Sequence, residues 1–180
     1  QDTTFTAEFA PNQYNISTSV NDCIRGVTIG DTIATYLDYI DISAIAYYGY
    51  HFVQWNDGNT ENPRQIQVTK DQTFTAYFAK NSYNIITYYD GTAGSVKTAS
   101  SALYLDEVTL TAKPNCGYHF TQWLDGVTDN PRTFILTQDT AFTAEFAQSY
   151  SGQCGENLYW AYNETDHSIS ITGSGDMYDY

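Results

Sequence analysis

The chain has 180 residues, and its 7 basic against 21 acidic side chains give a formal net charge of −14. That balance argues against nucleic acid as a partner, because phosphate backbones are held by basic patches, and no run of 18 apolar residues offers a membrane-spanning helix. Charged residues make up only 16% of the chain and aromatic residues another 16%, so it reads as a Thr-, Asn- and Tyr-rich globular surface rather than a disordered acidic tail.

Asp2 to Ala10, DTTFTAEFA, opens the chain with strict alternation that puts Phe5, Ala7 and Phe9 on one face of a strand. The same pattern returns at Asp71–Ala79 and Asp139–Ala147. Residues 1–10 are therefore assigned as the closing strand of a preceding repeat, and the chain as a piece of a longer protein. Repeat one covers 11–79. Tyr14, Ile16 and Thr18 alternate as its first strand, and Gly26–Ile29 forms a second before a turn at Gly30 and Asp31. Ile29, Ile33 and Leu37 are spaced four apart, as on a helix that Asp31 would cap. Alignment with the second copy points instead to strand: Ile40, Ile42 and Ala44 match Val108, Leu110 and Ala112, which alternate up to Pro114.

Gly49–Ala79 is the longest repeated stretch. It recurs 68 residues later at Gly117–Ala147 with 19 of 31 positions identical. It reads as a strand GYHFVQW, a polar turn DGNTENP, a strand RQIQVT, and a closing strand with Phe74, Ala76 and Phe78 inward. Repeat two covers 80–147 on the same plan. A fixed period makes each copy one structural unit. The link Lys80-Asn81-Ser82 is short, so the expectation is an elongated, semi-rigid pair of small β modules. Residues 148–180 break the pattern. Leu158–Tyr162 and Ser168–Thr172 read as a hairpin joined across Asn163–His167, with Trp160, Ile169 and Ile171 on its apolar face. Cys23, Cys116 and Cys154 fall at unmatched repeat positions, which favours free thiols over a disulfide framework.

The spacing of Tyr50, Phe52, Trp55, Gly58, Pro63, Arg64, Phe74 and Phe78, reproduced in the second copy, resembles the divergent internalin-B-type B repeat of bacterial surface proteins. The resemblance implies a small all-β or β-rich, β-grasp-like module, tandem placement, an extracellular location (secreted or cell surface), and an adhesion or spacer role. Repeat one departs from the family pattern at Ala46-Tyr47-Tyr48, where repeat two has Pro114-Asn115-Cys116. The tail, from Cys154-Gly155 through ISITGSGDMY, is similar to the lead-in hairpin of BspA-like leucine-rich repeat regions. Neither family supplies catalytic residues.

The candidate chemistry is sparse. Asn56, Asp57, Asn59 and Glu61 cluster like calcium ligands, but two of the four oxygens are lost at Leu124 and Val127 in the second copy, which favours a turn. His51 and His119 lack a repeated nucleophile or ligand partner. Arg64 and Arg132 are placed to pair with Asp57 and Asp125. No catalytic residue, cofactor or metal is assigned. Trp55 and Trp123 are candidate platforms for a sugar ring, or else the largest core residues of a small module. Tyr47, Tyr48, Tyr88 and Tyr89 fall in or near loops and are either a recognition surface or scattered surface rings. The reading is a non-catalytic surface repeat segment that acts as a spacer or binds a host or cell-surface protein or glycan. The alternative is a carbohydrate-binding module of a secreted glycan-active protein.

Overall fold

A computed structural model describes residues 2–163 and 167–178. The described residues form strands and turns with no helix, in two compact units, Gln1–Asn81 and Ser82–Tyr180. The protein is all-β and built of repeated modules.

Repeat one contributes β1 (Gln13–Val20), β2 (Gly26–Ile29), β3 (Thr32–Thr35), β4 (Tyr39–Ala46), β5 (Tyr50–Trp55), β6 (Arg64–Gln67) and β7 (Gln72–Lys80). They make two sheets, one in the order β3-β1-β7-β5 and one in the order β2-β4-β6. First and last strands lie side by side and parallel, from Ile16 opposite Gln72 to Val20 opposite Ala76. A parallel pair needs a crossover, and here the crossover is the whole body of the module. Of the residues with helical spacing, Ile29 ends β2, Ile33 lies in β3 and Leu37 in the turn before β4, so no helix forms there. Asp31 caps no helix; its carboxylate accepts hydrogen bonds from the Thr18 backbone N–H and hydroxyl.

The core lies between the two sheets. Ile16, Ile42, Ala44, Trp55, Ile66, Val68, Phe74, Ala76 and Phe78 are buried there, with Phe52 partly buried against them. Phe52 and Trp55 are three apart, so simple alternation would place them on opposite faces. A register shift between Phe52 and Gln54 resolves this. The extra residue re-aims the strand, as bulges do, and both rings enter the core.

Repeat two repeats the plan with β8 (Ser82–Tyr88), β9 (Gly94–Lys97), β10 (Ser101–Leu103), β11 (Glu107–Pro114), β12 (Tyr118–Trp123), β13 (Arg132–Ile135) and β14 (Thr140–Gln148). Its sheets are β10-β8-β14-β12 and β13-β11-β9, and its bulge lies between Phe120 and Gln122. The tail forms a third small sheet of β15 (Ser151–Gln153), β16 (Gly155–Asn163) and β17 (Ser168–Met177). Trp160 faces Ile171 and Tyr162 faces Ile169 across the hairpin. The expected connection falls in part on residues 164–166, outside the described residues.

The alternating segment at residues 2–10 is not paired as a strand within this chain. Residues 2–12 carry no strand, and Phe5 and Phe9 are 90% and 94% exposed. A strand exists through its neighbours' hydrogen bonds, and in each unit the closing position is already filled by β7 or β14.

Candidate functional site

The repeated stretch places an aromatic cluster, an ion pair and an asparagine clamp at one end of each module. In repeat one Phe52 lies 5.4 Å from Trp55 and 6.1 Å from Phe78, ring centre to ring centre, and Trp55 lies 6.5 Å from Phe74. In repeat two the same separations are 5.3, 6.1 and 6.3 Å. These are tilted and edge-to-face pairs, the arrangements ring quadrupoles favour. Trp55 and Trp123 are 0% and 1% exposed. Their place in the candidate ligand surface is therefore corrected: neither offers a face to a sugar. Each indole N–H donates to a loop carbonyl, that of Glu61 at 2.9 Å or Asp129 at 3.0 Å, so the ring is both core and loop anchor.

Beside each tryptophan sits the expected ion pair. Arg64 meets Asp57 at 2.6 Å and Arg132 meets Asp125 at 2.7 Å, and the two guanidiniums lie 5.2 and 5.0 Å from the centres of the Phe74 and Phe142 rings. Burial pushes the Asp57 carboxyl up, but hydrogen bonds from Arg64 and the Asn59 N–H, with the Arg64 charge, outweigh it and hold it below the usual carboxylate range. The Arg132 hydrogen bond does the same for Asp125 against a smaller burial effect. In repeat two a cleft of about 520 Å³ opens over this pair, lined by Leu124, Phe134, Phe142 and Thr140 among others. A cleft of about 270 Å³ lies at the matching place in repeat one.

The remaining polar groups of the turn are engaged in shaping it. Asp57 accepts from the Asn59 N–H and Asn59 from the Glu61 N–H, while Asn56 donates to the Thr73 carbonyl. His51 and His119 are exposed on their strands, and His51 bonds Asn81 at 2.8 Å. All three cysteines are free; Cys154 is buried. Cys116 and Cys154 share with Trp160, Ile169, Ile171 and Met177 the lining of an apolar hollow of about 260 Å³.

Two features went unread in the sequence. Asn62 accepts from the Ala44 N–H and donates to the Ala44 carbonyl, at 2.8 and 2.6 Å, and Asn130 does the same to Ala112 at 2.9 and 2.7 Å. Each amide thus satisfies both backbone groups of a buried residue, which a turn former alone does not require. A Cβ built on Gly26 would lie 2.6 Å from the Phe78 ring, and one on Gly94 2.5 Å from Phe146. These glycines are seats for the closing phenylalanines. Identity at the same position in both copies was the available signal for each.

The tyrosines are exposed, as a recognition surface requires, but they do not form a repeated site. Tyr47 and Tyr48 follow β4, and the matching residues of repeat two are Asn115 and Cys116. Tyr88 ends β8 and Tyr89 follows it, where repeat one has Ser19 and Val20. Beside Tyr47 the outer face of the three-stranded sheet carries exposed Val27 opposite Ile45, with Ile29 further along β2. Repeat two has Ser95, Lys113 and Lys97 there.

The fold and these sites define a tandem β module whose repeated residues serve core and turns. The model of the divergent InlB B-repeat domain matches residues 16–82 and 84–150, and the chain belongs to that family. The match ends at residue 150, so the likeness of the tail to a leucine-rich repeat lead-in gains no support from it. No curated protein and no solved structure matches the chain. No helix among the described residues is long and apolar enough to cross a membrane.

Proposed function

We propose that this chain is a non-catalytic repeat segment of a bacterial surface or secreted protein, in which the modules space or present binding surfaces. One observation carries this reading: the two copies keep their core, seats, clamps and turns, while their exposed faces diverge. A duplicated active site would keep its reactive groups. A duplicated scaffold keeps what holds it together, and its outer residues are free to acquire different partners. The exposed Val27, Ile29, Ile45 and Tyr47 favour contact with protein on repeat one, since apolar side chains grouped on one face gain by being covered.

The test transfers the repeat-two residues onto that face: Val27→Ser, Ile29→Lys, Ile45→Lys and Tyr47→Asn. The expected result is an unchanged melting temperature, within a few degrees. The native chain is also passed over cellulose, chitin and peptidoglycan, with no retention expected. Retention that Tyr47→Ala or Tyr88→Ala abolishes, with the melt intact, would turn the reading toward a carbohydrate-binding module.

A further inference from the structure

Residues 2–10 are the one copy of the closing pattern that closes nothing in this structure. Eight of the nine are identical to Asp139–Ala147 and seven to Asp71–Ala79. We propose that this segment is a closing strand for the body of a further module of the same family, one with its β7 position open.

Each group that the closing position reads is present. In both modules the Asp that precedes the strand accepts a backbone N–H from the first strand, Asn15 to Asp71 and Asn84 to Asp139, each at 2.7 Å; Asp2 occupies this position. Phe74 and Phe142 stand edge-on to the tryptophan, the place of Phe5. Ala76 and Ala144 lie opposite Trp55 and Trp123 in the register and are buried. Both copies set a small buried residue against the large indole, and Ala7 supplies the same one. Phe78 and Phe146 sit on Gly26 and Gly94, the place of Phe9. Glu8 matches Glu145, which accepts a hydrogen bond from Gln122 at 2.8 Å. Pro11 has no N–H and ends the strand at Ala10, one residue before the position of Lys80. The partner is therefore defined by its chemistry: a first strand that pairs in parallel, a glycine seat, and a bulged strand ending in tryptophan.

The test places a second copy of residues 82–137 directly ahead of Gln1 in the full chain, so that Thr137 is followed by Gln1 and Asp2 just as it is by Gln138 and Asp139. Amide exchange at residues 3–9 is expected to slow to the rate seen at 140–146, whereas in the 180-residue chain it is fast. Phe5→Ala with Phe9→Ala should abolish that protection in the fusion and leave the melt of the 180-residue chain unchanged. Valine in place of the added copy's glycine seat should abolish it too. Fast exchange at 3–9 in the fusion would overturn the proposal. So would a drop in the melting temperature of the 180-residue chain with the double variant, since the segment would then already be packed on the modules present. If the fusion does not express, the 180-residue chain carrying Ala144→Asp, which expels β14, is mixed with a synthetic peptide of residues 1–10. Shielding of Trp123 from acrylamide by this peptide, and not by its Phe5→Ala, Phe9→Ala form, supports the proposal; equal quenching with both overturns it. Neither result bears on whether the repeats are catalytic.

Discussion

The two modules differ by class in three ways, and the differences sort by physical role. Some side chains that bond or seat their neighbours keep their identity: Asn62 and Asn130, Asp71 and Asp139, Gly26 and Gly94, and the Arg–Asp pairs. Others do not, since Asp31, Asn56 and Asn59, which also bond backbone groups, become Ala99, Leu124 and Val127. Where only volume is needed, apolar character is kept and identity is not. Ile42, Ile66 and Val68 become Leu110, Phe134 and Leu136. The larger Phe134 lies 4.7 Å from Phe142, where repeat one has Ile66 and Phe74 in its core. On the outer face neither is kept, as the replacement of Ile29 and Ile45 by Lys97 and Lys113 illustrates. A hydrogen bond to a buried backbone group keeps its residue, bonds within exposed turns are dispensable, dense packing tolerates several residues, and solvent tolerates most.

Four measurements would break or sharpen that division. Trp55→Ala or Trp123→Ala should cost about 3–5 kcal/mol in its own module and leave the other unaffected, as read by denaturant melts through the remaining tryptophans. Equal loss in both modules would show that they do not fold as separate units. Asn62→Ala or Asn130→Ala should cost about 2 kcal/mol, because the N–H and C=O of a buried alanine lose their partner together; a loss below about 0.5 kcal/mol would reduce the clamp to an ordinary turn residue. Ile66→Phe with Val68→Leu gives repeat one part of the repeat-two core. It should cost about 1–3 kcal/mol by overpacking, although both residue sets are native to the fold.

The smallest effect concerns the ion pairs. Asp57 and Asp125 are held below their ordinary value of 3.8, so their contribution is present above that pH and is lost as pH falls through the lower folded-state values. Asp57→Asn and Asp125→Asn should each cost at most about 1 kcal/mol at pH 7, because both carboxylates are part-exposed and screened. The gap between variant and native chain should close in acid. A gap that persists undiminished at pH 2 would mean that the asparagine disturbs the loop by its shape rather than by charge.

The sequence alone was enough to show the two copies, most of their strands and the inward faces of β7 and β14, because burial on one side of a strand leaves a period of two in the chain. The short β3 and β10 were not legible as separate strands. The Arg–Asp pairing was also legible, since both members recur at fixed spacing. Partner choice was not, because a period reports which face is buried and never which strand lies alongside. The parallel pairing of β1 with β7, the bulges that turn Trp55 and Trp123 inward, and the glycine seats are non-local. Leu37 and Leu105 adopt left-handed backbone angles, φ 71° and 63°, which leucine does not favour. Their N–H groups bond the Val68 and Leu136 carbonyls at 2.7 Å, so the neighbouring strand imposes the conformation. Residues 2–10 carry the same point in reverse: they have the alternation of a strand, but pairing makes a strand, and here the closing positions belong to β7 and β14.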